Sequence, residues 1–218
     1  MKIPTEGPVI IYGASGHGKV VADILQACGT EIEGFVDDDP HKSGEVFGLK
    51  VLGDAKYLVE LAHRGPVAVA LGIGDNLARR VIAERCVAAN IRLLTEVHPS
   101  AAVAASATIG PGVVIMAHAV VNADALIQRG AIINTGAIVE HDCKIGDFAH
   151  LSPRVAIGGH VEIGELSWLG IGVAVIPKVK VGLGSIVGAG ATVVNDVADW
   201  VVAIGTPAHM LRRLEPRL

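Results

Sequence analysis

The chain predicts two unlike folds in succession: an α/β, Rossmann-like domain over residues 1–96 and an all-β, left-handed parallel β-helix over residues 97–196. Three observations carry this reading. From Val97 to Val193 every sixth residue is Val, Ile or Leu, without a break. Two positions before these residues the side chain is small or short, as at Ala101, Ala119, Ala137, Cys143 and Ala191. Before Val97 the pattern changes to strands alternating with helices around a glycine-rich turn. One face of an α-helix recurs every 3.6 residues, so a period of six excludes a helical solenoid. A hexapeptide repeat fits a triangular coil of about eighteen residues, with the aliphatic residue plugging the interior and the small residue letting the chain close around it.

Composition supports both parts. With 51% hydrophobic but only 3% aromatic residues, the chain suits a narrow core of Val, Ile and Ala. The formal net charge of −4 gives no nucleic-acid or anionic-membrane footprint. Val97 to Ala123 carries no Asp, Glu, Lys or Arg, yet its Gly, Pro, Ser and Asn residues and its period of six argue against a membrane span. Up to Gly13 the regions of a signal peptide are missing. Cys28, Cys86 and Cys143 make neither a disulfide framework nor a CxxC metal knuckle. The expectation is a cytoplasmic protein.

In the first domain, Val9–Tyr12 reads as a buried strand running into Gly13-Ala14-Ser15-Gly16-His17-Gly18 and then a helix. Glu31–Val36 reads as a second strand ending at Asp37-Asp38-Asp39. Val67–Leu71 reads as a third, and Asn76–Ala89 as an amphipathic helix. The alternation predicts a small parallel sheet, with a ligand at the carboxyl ends of its strands. The glycine turn is not the dinucleotide fingerprint, because Ser15 stands where the second glycine belongs. It nearly matches the Walker pattern, but Val20 follows Lys19 where a Mg²⁺-binding hydroxyl is needed. What remains is a strand–turn–helix whose N–H groups can receive a phosphate, or a plain tight turn. Asp37 and Asp38 can accept from ribose or base, or form a solvated charged turn.

In the second domain the period serves as a ruler, since residues eighteen apart stack on neighbouring coils about 4.8 Å apart. His141 then lies beside Gly159, Asp142 between Asp124 and His160, and His150 beside Trp168. An exposed cluster of His141, Asp142, Gly159 and His160 follows. Metal catalysis is not expected: His141, His150 and His160 are nine and ten residues apart, so no two should share a face as a ligand pair must. Residues 197–218 leave the register, and Ala208–Leu214 reads as a short capping helix. Lys178 and Lys180 are either a solvated pair or contacts for phosphates.

The segments IIYGASGHGKVVADIL, FVDDD and INTGAIVEHDCKIGDFAHLSP resemble one family, the sialic-acid O-acetyltransferase (NeuD) type, which includes PglD-like N-acetyltransferases of nucleotide-linked 4-amino sugars. The resemblance covers nearly the whole chain. It implies acetyl-CoA as co-substrate and a homotrimer with active sites in grooves between adjacent β-helices. It implies His141 as catalytic base, Asp142 as its acidic neighbour (Glu140 being a competitor for that role), and Gly159 as oxyanion donor. Asn134 falls near the amino sugar and His150 beside the thioester. Gly170, Ala189 and the loop Gly205, Thr206, Pro207 fall on the coenzyme. Gly16, His17, Gly18, Lys19, Asp37 and Asp38 fall on the nucleotide. His160 departs from the smaller polar residue common there and meets either the coenzyme or the sugar pocket. The reaction implied is N-acetylation of a nucleotide-linked 4-amino-4,6-dideoxy sugar for polysaccharide synthesis. GDP-perosamine is favoured over UDP-linked sugars because no lysine follows the first two acids of the aspartate turn. Sialic acid O-acetylation and a non-catalytic scaffold are the alternatives.

Overall fold

The computed structural model describes residues 7–216. The chain divides into two compact units at Pro99–Ser100. The first holds β1 (Val9–Tyr12), α1 (Gly16–Ala27), β2 (Gly34–Val36), β3 (Glu45–Val46), β4 (Leu49–Gly53), α2 (Ala55–Ala62), β5 (Ala68–Leu71), α3 (Asn76–Ala88) and β6 (Arg92–Leu93). These strands form one sheet in the order β3-β4-β2-β1-β5-β6. Only the β3–β4 pair is antiparallel. Every residue of β1 and β5 is buried, which explains their uninterrupted apolar sequences. The second strand is shorter than expected: Glu31 and Glu33 are exposed, and the Glu33 N–H bonds to Val9 O at 2.9 Å just before the strand begins.

The sheet order has a functional consequence. From β1 the chain passes through α1 to β2 on one side, whereas β5 pairs with β1 on the other. The carboxyl ends of β1 and β5 therefore flank the topological switch point, where open α/β sheets leave a crevice.

The second unit is a parallel β-helix of two-residue strands on three faces. Successive coils pair at a spacing of eighteen: Ile138 with Ala156, Lys144 with Glu162, His150 with Trp168. The sixfold residues Ile133, Val139, Ile145 and Leu151 are fully buried, and so are the small residues Ala131, Ala137, Cys143 and Ala149. The corners need left-handed backbone. Gly136, Gly172 and Gly190 supply it in one column, but Asp124, Asp142, His160 and Lys178 adopt φ of 59°, 59°, 58° and 67° in another. Non-glycine residues rarely hold this conformation, so the second column keeps side chains where glycine would be easiest.

The end of the solenoid differs from the expected capping helix. Val201–Ile204 continues one face in parallel with Ile186–Val187, and His209–Arg213 returns antiparallel to it. A helix over 208–214 would leave the edge of Val201–Ile204 unpaired, whereas a strand satisfies its N–H and C=O groups. Overfilling the small inner slot tests the closure argument. Ala137→Leu should cost about 1–3 kcal/mol in denaturant unfolding, while Ile145→Val should cost about 0.5–1.5 kcal/mol.

Candidate active site

The glycine turn after β1 is built against the loop after β5. Gly13, at φ 109°, lies so that a Cβ would stand 2.6 Å from Gly72 O, and a Cβ on Gly72 would meet Gly13 O and the Gly18 Cα at 2.9 Å. Only glycines allow this backbone-to-backbone packing. Asp37 is committed to the same turn: its Oδ2 accepts from Ala14 N at 2.7 Å and its Oδ1 from Asp39 N at 2.9 Å. Asp38 is exposed, accepts from Ala55 N at 3.1 Å, and meets the Arg85 guanidinium at 3.4 Å. Gly16 and Lys19 are exposed and Gly18 is buried. Helices α2 and α3 are capped by the Asp54 and Asp75 side chains, whereas Ser15 makes no side-chain cap on α1 and no acid stands in its first turn. The positive dipole end of α1 therefore carries neither a side-chain cap nor a first-turn acid.

The loop after β5 escaped the sequence reading. Arg79, fully buried on α3, donates through Nη1 to Ile73 O at 3.1 Å and Gly74 O at 3.0 Å, and through Nη2 to Asn76 Oδ1 at 2.9 Å. Burial lowers its pKa to about 9. The signal available was Gly72-x-Gly74-Asp75-Asn76, a second strand–glycine–cap sequence like the one after β1.

In the solenoid, one corner gathers His141, Asp142, Gly159 and His160. His141 Nδ1 meets Asp142 Oδ2 at 2.8 Å. The ring lies against Gly159, where a Cβ would stand 2.6 Å from His141 Cε1, 2.7 Å from Nε2 and 3.2 Å from Nδ1. Among the described residues nothing accepts from the Gly159 N–H. Glu140 Oε2 accepts from the His141 backbone N–H at 3.4 Å, so it is Asp142 that holds the ring. The hydrogen bond with His141, and secondarily the nearby His160, hold the Asp142 carboxyl below its ordinary pKa. One expectation is corrected here: two histidines do come together. The His141 and His160 rings cross at 88° with centroids 5.3 Å apart, and His160 Nε2 lies 3.7 Å from Asp142 Oδ2. They are nineteen residues apart, one coil plus one residue, a relation hidden when each is measured against His150.

A second corner carries the other expected residues. Asn134 Nδ2 lies 3.0 Å from His150 Nε2, and Asn134 Oδ1 accepts from Thr135 N at 2.8 Å. A Cβ on Gly170 would stand 2.6 Å from Ala189 N, so these two stack on successive coils. Gly205 O accepts from Thr192 N at 3.0 Å, and Thr206 Oγ1 reaches Thr192 Oγ1 at 3.3 Å and Gly190 O at 3.4 Å. Thr206 and Pro207 thus turn beside Ala189. Lys180 pairs with Glu162 at 3.3 Å in a ladder that includes Lys144 at 4.0 Å, on a face of its own. Within one chain the two corners are a full side of the triangle apart, and the structure does not join His141 to His150.

His17 gives a pH test of the glycine turn. Burial, and secondarily the Arg79 charge, lower its pKa from 6.5 to about 4. An unfolded chain therefore binds this proton from about pH 6.5 downward, while the folded chain refuses it until about pH 4. Stability of about 3 kcal/mol should be lost as pH falls across that window, and His17→Gln should flatten that part of a denaturant-midpoint curve.

Comparison with known proteins agrees with both units. Residues 8–86 match the PglD N-terminal domain. The crystal structure of PerB from Caulobacter crescentus, in complex with CoA and GDP-perosamine, is 43% identical, with a TM-score of 0.90, 94% of this chain covered and 98% of that one. The acetyltransferase domain of PglB from Neisseria gonorrhoeae FA1090, in complex with acetyl coenzyme A, is 39% identical, with a TM-score of 0.88, 94% of this chain and 98% of that one. A UDP-N-acetylbacillosamine N-acetyltransferase of Bacillus subtilis (strain 168) is 40% identical over 110 residues, 50% of this chain and 51% of the relative, so this chain spans about half of that protein. With its α/β domain, its left-handed β-helix and a relative matched over almost its whole length, the chain belongs to the NeuD/PglD-like family of sugar N-acetyltransferases.

Proposed function

We propose that the chain is an acetyl-CoA-dependent N-acetyltransferase acting on the 4-amino group of a nucleotide-linked 4-amino-4,6-dideoxy sugar, with GDP-perosamine as the leading acceptor. One observation carries the reading: an imidazole held through Nδ1 by Asp142, with its Nε2 edge against a glycine whose N–H has no acceptor. In the tautomer that donates Nδ1–H to Asp142, the Nε2 lone pair is free to take a proton. The sugar amine attacks the thioester carbonyl carbon, and His141 removes its proton as the C–N bond forms. The oxyanion accepts from the Gly159 N–H. The C–S bond then breaks, and the proton held by His141 passes to the leaving thiolate. Transfer is direct. Cys143 is fully buried with Sγ donating to Gly158 O at 3.1 Å, and burial raises its pKa, so it is no nucleophile.

Asn134, His150, Gly170, Ala189, Gly205, Thr206 and Pro207 form the coenzyme and acetyl side, and the turn of Gly16, His17, Gly18 and Lys19 with Asp38 receives the nucleotide diphosphate. Asp37 shapes that turn. GDP is supported by a relative of nearly full-length overlap that is a complex with GDP-perosamine. A UDP-linked acceptor is supported by the shorter bacillosamine-type match. A homotrimer is supported by the two separated corners, which a neighbouring copy can bring face to face, and by Ile138, Trp168, Ile171 and Ile176, large apolar side chains exposed in the single chain. No helix among the described residues is long and apolar enough to cross a membrane, and we place the enzyme in the cytoplasm, in surface-polysaccharide synthesis.

Thiol release from acetyl-CoA, measured against GDP- and UDP-linked 4-amino sugars and sialic acid, tests this directly. Turnover of one amino sugar is expected; turnover of sialic acid alone would replace the reading with O-acetylation, and silence with all of them would leave a scaffold. His141→Ala should lower kcat about 10²–10⁴-fold with acetyl-CoA affinity unchanged in calorimetry. Gly159→Ala should lose turnover as heavily with little change in Tm, because the added methyl displaces only an exposed imidazole.

A further inference from the structure

We propose that His141, Asp142 and His160 form a binding site for a first-row divalent transition metal, Zn²⁺ above all, and that a bound ion stops transfer by fixing His141 in the wrong tautomer. The second half rests on the base role given to His141 above; the first does not.

One ligand atom from each of the three residues lies within 4.8 Å of the others. A tetrahedral ion with bonds of about 2.0–2.1 Å needs its ligand atoms roughly 3.3 Å apart. The pair His141 Nδ1–Asp142 Oδ2, at 2.8 Å, is shorter than this, and the pair His160 Nε2–Asp142 Oδ2, at 3.7 Å, is longer. Shifts of about half an ångström in these two pairs, and of up to about 1.5 Å between the two histidines, would seat the ion. The side chains have room for them, being 53%, 44% and 53% exposed for His141, Asp142 and His160. The backbone beneath does not need to move: Asp142 and His160 occupy one column of left-handed corners on consecutive coils, tied by His160 N donating to His141 O at 3.0 Å. Two imidazoles and a carboxylate suit Zn²⁺, Co²⁺ or Ni²⁺ and do not suit Mg²⁺ or Ca²⁺, which prefer all-oxygen shells.

The consequence for catalysis follows from which nitrogen is taken. The ligand atoms meet at His141 Nδ1, the ring nitrogen that already faces Asp142 Oδ2, which in turn faces His160 Nε2. An ion there replaces the Nδ1 proton, so a neutral ring must carry its proton on Nε2. The nitrogen facing the reaction centre becomes a donor and loses the lone pair that would deprotonate the amine. Neither substrate need be displaced. Inhibition should therefore lower kcat without raising either KM, and saturating acetyl-CoA or sugar nucleotide should not relieve it.

The test uses the metal-free full chain titrated with Co²⁺, read by its visible d–d absorption, with Zn²⁺ as competitor. One Co²⁺ per chain, displaced by Zn²⁺, is expected, with affinity weaker by about tenfold or more in His160→Gln and in Asp142→Asn. Thermal melts establish that both variants fold. Absence of absorption, or absorption undiminished in both folded variants, would overturn the site. Zn²⁺ inhibition of the wild-type enzyme is then read in kcat and both KM values. Binding with kcat intact, in an enzyme that His141→Ala inactivates, overturns the tautomer step. If His141→Ala retains full turnover, the base role fails, and the Co²⁺ titration still decides the site.

Discussion

The second unit depends on one constraint: each side of its coil has room for a single aliphatic plug and one small closing residue. Val139 and Ile145 fill the centre while Ala137 and Cys143 let the wall pass at zero exposure. A chain that must meet this condition every six residues cannot drift in register, because a slip of one would put the plug outside and a polar residue inside. The parallel ladders then stack residues eighteen apart on every face. The contact of His141 with Gly159 follows from this regularity, not from any local affinity between the two. Rigid spacing also holds the exposed His141: its backbone is fixed by coil-to-coil hydrogen bonds, and Asp142 hydrogen-bonds its ring.

Because stacking is set by a repeat, this part of the protein was readable residue by residue. The pairing of His150 with Trp168 and the approach of Gly159 to His141 both follow from counting. Counting fails where the repeat ends. The strand His209–Arg213 carries no plug and is exposed throughout, so its pairing with Val201–Ile204 depends on an edge that only the folded solenoid presents. Counting groups His160 with His141 through its stack on Asp142, but spacing measured against His150 hides that the two rings meet, since they are nineteen apart and belong to no one column.

The α/β unit was less legible for a different reason. Its apolar strands β1 and β5 declare themselves by composition, but β3 and β6 have two residues each, and β4, with five, has none fully buried. The loop after β5 was passed over because its key residue looks ordinary. Arg79 sits in a helix between Ala78 and a second arginine, Arg80, and nothing there announces a guanidinium with zero exposure tied to the carbonyls of Ile73 and Gly74. Asp37 shows the converse. In sequence it stands as a ligand contact or a solvated charged turn, and in the structure both of its oxygens accept backbone N–H groups, which makes it a brace of the turn.

The two corners of the solenoid bear on how such an enzyme can work at all. General-base catalysis requires the imidazole within hydrogen-bond reach of the amine as it attacks, and the thioester must lie beside that amine. His141 and Gly159 occupy one corner; Asn134, His150, Gly170, Ala189 and the Gly205–Pro207 turn occupy another. A rigid wall lies between them, and a solenoid so tightly constrained inside cannot bend to close the distance. Side-chain motion cannot span it either, because Asn134 and His150 are already engaged with each other. Under the proposed reading, a second copy presenting its Asn134–His150 corner to the His141 corner of the first would complete the set. The narrow core that makes the repeat so regular thus gives the proposed homotrimer a mechanistic reason beyond burial of apolar surface.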